Sequence, residues 1–297
     1  MVCDRLVCGG GVLEGYRPDA SYRSWVEKLA VYGKSPQAQQ ELAYWCDQLS
    51  DVQIDAVACA EVPIKAQQEY SPVGAELDYA DTQALIRAAP RILKVQIDEL
   101  LLTALAYAFG GWVGRESVTV QHVRHGRVAM FPGLDVARTV GWFSTEAPIK
   151  LHTPGGMPIR EALESVKTQS RSLPNGGIGY GVLRHINREI ALLKQPEPLI
   201  RLNHQGEIAG GVFEGQFRVV DALWAGNISV KQEGVIAVMT GIESGRLQMR
   251  WSYDRRTYGR DRIFGFAERA VECLRLLASL ATETALPAAG VPDATTR

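Results

Sequence analysis

The side chains able to move protons, hold metals or attack a carbonyl are few and scattered along this chain. Five histidines, His122, His125, His152, His185 and His204, fall at spacings that match no metal-ligand pattern. The five cysteines, Cys3, Cys8, Cys46, Cys59 and Cys273, include no CxxC pair, so they predict neither a zinc site nor a disulfide framework. A reducing, cytoplasmic setting is the expectation they leave. There is no Walker A loop, no GxSxG elbow and no HExxH helix. Gly177-Ile178-Gly179-Tyr180-Gly181 superficially matches a dinucleotide fingerprint, but it follows Ser172-Leu173-Pro174-Asn175 rather than a strand, so it offers no pyrophosphate geometry. Gly176, Gly177, Gly179 and Gly181 crowd six positions all the same. Such a run costs chain entropy unless the backbone turns at positive φ or approaches something closely, which points to a binding or contact loop.

Composition narrows the class further. The chain has 297 residues, 46% of them hydrophobic and 22% charged, which describes a folded protein with a sizeable core. Lys+Arg 32 against Asp+Glu 33 gives a formal net charge of -1, so no global positive field draws in nucleic acid or an anionic membrane. The longest apolar stretch, residues 100–114, is shorter than the ~20 residues of a membrane span and is expected to be a buried helix.

Periodicity assigns the elements that must position these groups. Trp25, Leu29 and Tyr32 predict one amphipathic helix ending at Gly33, and Ser35-Pro36 caps a second that carries Leu42, Trp45, Cys46 and Leu49. Extended segments are expected at 56–64 and 73–79, then a short helix from Asp81 and a long apolar one over 96–113. Residues 117–123 and 198–203 read as strands, with helices at 158–170 and 181–193 between them. Residues 235–253 form the clearest pattern. There Leu247, Met249, Trp251 and Tyr253 alternate with polar residues after a Glu243-Ser244-Gly245 turn, predicting a half-buried hairpin. A closing helix of about six turns starts at Arg260. The domain expectation is a flexible N-terminus at 1–18, connecting helices at 19–55, a lobe at 56–282 and a disordered tail at 283–297.

A series of ordered segments resembles the C-terminal half of epimerization domains, and more broadly condensation domains, of nonribosomal peptide synthetases. Asp98-Glu99-Leu100-Leu101-Leu102-Thr103-Ala104 resembles the DxLLxA helix and His125-Gly126-Arg127 the HGR of EGHGRE. Arg138-Thr139-Val140-Gly141-Trp142-Phe143-Ser144, with Ala147-Pro148-Ile149, is very similar to RTVGWFT…YPV. Residues 174–181 resemble the PxxGxGYG loop, residues 202–206 FNYLGQ, and residues 245–253 the closing hairpin.

The resemblance implies an α/β fold of the chloramphenicol-acetyltransferase-like class, a mixed sheet flanked by helices. In that family two lobes form a V around a tunnel, into which a peptidyl carrier protein delivers a thioester on its phosphopantetheine arm. No directly bound cofactor or metal is expected. Trp142, Phe143, Ser144, Gly177, Gly179, Tyr180 and Gly181 would line the tunnel. Asn203 would hold a carbonyl or enolate oxygen, while His204 and His125 would either move a proton or simply bond backbone.

Two departures stand out. The family's HHxxxDG histidine is missing, because the fourth residues after the five histidines are Gly126, Ala129, Gly156, Glu189 and Ile208. Alignment on His125-Gly126-Arg127 also puts Val123 where the family has its catalytic glutamate, and valine moves no proton. The chain is therefore expected to be a C-terminal lobe with its connecting helices, partnered by a missing N-terminal lobe or synthetase module and inactive alone. A non-catalytic interaction surface, or a remnant of an amide-forming condensation domain, is the alternative. Self-association through the apolar surface of a half V is expected.

Overall fold

The computed structural model describes residues 20–50, 52, 70–208, 235–255 and 257–283. The expected N-terminal lead-in and the extended segment at 56–64 lie outside these residues, as do residues 284–297 of the expected tail. Among the described residues no helix is long and apolar enough to cross a membrane.

Two capped helices come first. Ser21 accepts from the Ser24 backbone N–H at 3.0 Å to open α1 (Tyr22–Gly33), and Ser35 accepts from Ala38 at 3.2 Å to open α2 (Pro36–Gln48). The chain then runs through β1 (Tyr70–Leu77), α3 (Tyr79–Gln83), a π turn, α4 (Ala89–Ile92) and the long α5 (Ile97–Val113). Glu99 accepts the Gln96 N–H at 2.8 Å at the head of α5 and is itself gripped by Arg171 at 2.6 and 3.0 Å. Next come β2 (Ser117–Arg124), β3 (Thr145–His152), α6 (Ile159–Arg171), a 3-10 turn at Pro174–Gly177 and α7 (Ile178–Gly181). A π turn, α8 (Ile190–Leu193), β4 (Ile200–Ile208), β5 (Ile236–Glu243), β6 (Arg246–Asp254) and α9 (Arg260–Glu283) complete the order.

The strands make one mixed sheet in the order β1-β6-β5-β4-β2-β3. Its centre is parallel, β2 beside β4 and β4 beside β5, while the other pairs are antiparallel. Leu247, Met249, Trp251 and Tyr253 are all buried, as the alternation predicts, with Trp251 against Phe266 of α9, and Ser244 and Gly245 both take the positive φ of a two-residue hairpin turn.

Two expectations are corrected. Strand β3, centred on Pro148, is not among the elements expected from the sequence. The strand lies at the sheet edge and pairs only with β2, so the missing N–H leaves no ladder bond unmade. The single helix expected over 181–193 is broken. Arg188 takes φ +58, and the Asn187 amide turns aside to donate to the Gly33 carbonyl at 2.6 Å, closing the end of α1.

Glu41 ties α1 and α2 to the glycine-rich turn. Its carboxylate is buried and accepts from Trp45 Nε1 at 3.0 Å, from Asn175 Nδ2 at 2.7 Å and from the Tyr32 hydroxyl. Burial and this carboxylate together push the Tyr32 phenol well above its usual range. The glycine-rich loop closes directly over the site: a Cβ on Gly179 would fall 1.8 Å from Glu41 Oε2, and one on Gly177 2.7 Å from Ala147 Cβ. Gly179→Ala is accordingly expected to cost about 1–3 kcal/mol by overpacking, measured by chemical denaturation. In a Glu41→Ala background the same change should cost much less, and an equal cost in both would show that the contact is not its origin.

Candidate functional site

Strand register assembles a row of side chains across the sheet. Val123 on β2 pairs with Glu146 on β3 and with Asn203 on β4, and Asn203 pairs in turn with Met239 on β5. Because successive side chains alternate between faces, these four share one face, with Gln121 and Arg201 two residues back along their strands. Arg201 forms an ion pair with Glu146. Asn203 is half-buried beside Val123, and an amide N–H there can donate to an oxygen that gains charge.

His204 follows Asn203 and so turns to the opposite face, where α5 packs. There its Nδ1 lies 2.8 Å from Thr240 Oγ1. The same face holds His122, fully buried, whose Nε2 is 3.5 Å from Asp98 Oδ2, long for a hydrogen bond. Burial lowers the His204 pKa below its ordinary 6.5; His122 pushes the same way and Asp98 opposes. For Asp98 burial raises the pKa, but the contact with His122 and the charges of His122, His204 and Arg124 outweigh it and hold the carboxyl below its usual range. Sequence reasoning named Asn203, His204 and His125 as candidates, and the strand turns Asn203 and His204 to opposite faces. It did not single out His122 and Thr240, which strand register brings to His204, Asp98, which the packing of α5 adds, or Glu146, which lies on the unexpected β3.

His125 is exposed and its Nδ1 accepts the Arg127 backbone N–H at 3.0 Å, so it shapes its own turn. Gly126 must be glycine here, since a Cβ would fall 1.8 Å from the Phe143 carbonyl oxygen. Arg127 then organises the loop before β3: its guanidinium donates to the carbonyls of Val136 and of Thr139, the latter at 2.8 Å, and lies 4.2 Å above the Phe143 ring. Phe143 is buried against Tyr22 and Trp25 of α1, whereas Trp142 is 82% exposed, its carbonyl held by the Tyr22 hydroxyl at 3.0 Å. Trp142, Phe143, Ser144 and Gly181 line one groove of about 150 Å³ against α1. Gly177 and Gly179 turn instead into the protein's own packing, and Tyr180 faces a different cavity.

The condensation domain family matches residues 12–294, and the chain belongs to that family. It is 31% identical over 265 residues to a linear gramicidin synthase of Brevibacillus parabrevis, covering 86% of this chain and 3% of that synthase. It is 26% identical over 275 residues to bacitracin synthase 3 of Bacillus licheniformis, covering 91% of this chain and 4% of the other. Among solved structures, the epimerization domain from the third module of tyrocidine synthetase B superposes with TM-score 0.76 at 20% identity, covering 95% of this chain and 64% of that one. The first condensation domain of the CDA synthetase gives TM-score 0.63 at 16% identity, over 93% and 58%. The chain thus spans a small part of the synthetases and less than two thirds of the solved domains.

The electrostatics of the His204 face predict a pH dependence. A folded-state pKa below the unfolded value means that the unfolded chain binds more protons, so stability should fall as pH drops through about 6.5. Melting temperatures at pH 7.5 and 5.5 should differ for the wild type and differ less for His204→Gln; an unchanged difference would remove His204 from the cause.

Proposed function

We propose that this chain is the C-terminal lobe, with its connecting helices, of an epimerization-type domain of a nonribosomal peptide synthetase. It would bind aminoacyl or peptidyl thioesters on the phosphopantetheine arm of a peptidyl carrier protein and perform no chemistry alone. One observation carries the reading, the row of Glu146, Val123 and Asn203 on a single sheet face. The family resemblance puts a proton-moving glutamate at the valine's place in that row, beside an asparagine suited to a thioester oxygen. The closer superposition on an epimerization domain than on the condensation domain supports the first ancestry, TM-score 0.76 against 0.63.

Epimerization removes a Cα proton beside the thioester carbonyl and returns one to the opposite face, which requires two flanking proton carriers and a donor for the enolate oxygen. In this reading Asn203 is the donor. His204 lies on the far side of the strand and His125 holds its own loop, so neither faces the same space. The groove along Trp142, Phe143, Ser144 and Gly181 is the proposed path of the pantetheine arm. A second reading, an interaction surface without catalysis, draws on the exposure of Trp142 above a loop that Arg127 holds in shape.

Incubating the 297-residue polypeptide with an aminoacyl carrier protein should leave the amino acid's configuration unchanged by chiral chromatography. Val123→Glu should leave it unchanged too, since no HHxxxDG histidine is present. A racemised product from either protein would overturn the proposal.

A further inference from the structure

A strand at the edge of a sheet offers a row of backbone N–H and C=O groups to any other chain, and β3 is such a strand. In an antiparallel pair, alternate residues turn their backbone groups to the partner strand and the others turn theirs outward. Just past β3, Thr153 donates to the Glu116 carbonyl at 2.8 Å on the β2 side, so Glu146, Pro148, Lys150 and His152, of the other parity, face outward. Three of these four present no free N–H. Pro148 has none to give. The Lys150 N–H donates to Gln48 Oε1 and the His152 N–H to Gln169 Oε1, both at 2.9 Å.

The two glutamines come from different helices, and each is held by further bonds. Gln48 ends α2, and its own carbonyl accepts from Thr119 Oγ1 at 3.1 Å. Thr119 is the β2 partner of Lys150, so one residue clasps both strands at the same rung. Gln169 on α6 donates its Nε2 to Ser165 Oγ at 2.6 Å, and Ser165 Oγ donates to the His152 carbonyl at 3.1 Å. Between them Gln169 and Ser165 accept from His152 and donate to it, which is what a residue of a neighbouring strand would do. Side chains here stand in for a strand.

We infer that Gln48, Ser165 and Gln169 form an autoinhibitory seal on the β3 edge, taking the hydrogen bonds that β3 of a second copy of this chain would otherwise make. A second copy fits this edge by charge. An antiparallel pair centred on Pro148 is two-fold symmetric and sets Glu146 of each copy opposite Lys150 of the other, where opposite charges favour pairing. A pair centred on Lys150 would set the two lysines face to face, so charge selects the register as well. Neither a carrier protein nor a thioester has any part in this contact.

Sedimentation of the full chain over a range of concentrations, combined with hydrogen exchange at the Lys150 and His152 amides, tests the seal. Gln48→Leu with Gln169→Leu removes both acceptors at little change in bulk. This double variant should associate about tenfold more tightly than the wild type, or more, the worth of the hydrogen bonds released to a partner strand. Its two amides should exchange fast when dilute and slowly when concentrated. In the wild type both should exchange slowly at every concentration. Gln48→Leu alone should show the same behaviour at Lys150, which keeps the test decisive if the double variant does not fold. Gln48→Glu keeps an acceptor oxygen and should match the wild type. Unchanged association in both leucine variants, association while the two amides exchange freely, or a glutamate variant that behaves as the leucine one would each overturn the inference.

Discussion

The alternation of side chains across the parallel centre of the sheet governs everything else about this site. Residues 122 and 123 of β2, and 203 and 204 of β4, are neighbours in sequence but face opposite sides. One side is packed by α5 and collects His122, His204, Thr240 and Asp98, and burial there disfavours a charged His204. The other carries Val123, Asn203, Glu146 and Arg201. A slip of one residue in either strand would exchange these sets, so the buried Ile200 and Leu202 that fix the register of β4 also decide which polar groups reach the cleft.

Two arginine and carboxylate centres hold the surrounding loops to that sheet. Arg127 gathers the carbonyls of the loop before β3 and lies over Phe143, which in turn packs on α1. Glu41 receives three donors from α1, α2 and the glycine-rich turn. A carboxylate buried this deeply stays put only while its donors are in place, so α1, α2 and the turn behave as one unit. The crowded glycines are thereby explained from within the chain at Gly177 and Gly179, and the groove along Trp142 is shaped by the same contacts.

The sequence made much of the fold legible where the pattern was local. The alternation of Leu247, Met249, Trp251 and Tyr253 defined the hairpin, and Ser21 and Ser35 marked two helix starts by their own hydrogen bonds. Features that depend on distant partners were not legible. Pro148 hides β3 because its compatibility follows from an edge position that no local pattern reveals. The break at Arg188 exists because Asn187 bonds to Gly33, 154 positions earlier. At the site, the spacing of His122 and His204 carries no periodic signal, and their common face emerges only once β2 and β4 are paired. Alternation counted from Leu202, a buried residue, would have shown that Asn203 and His204 diverge.

That bond between Asn187 and Gly33 also bears on how the protein is made. Trp25 and Trp45 leave the ribosome before the surfaces that bury them, Phe131, Phe143, Ile178 and Tyr180, which come about 100 residues or more later. Until the ribosome has delivered them, the first two helices have their own serine caps but not their cover, and Gly33 lacks its bond to Asn187. Their indoles stay uncovered throughout that interval, and transiently exposed apolar surface of this kind is what makes incomplete chains prone to aggregate.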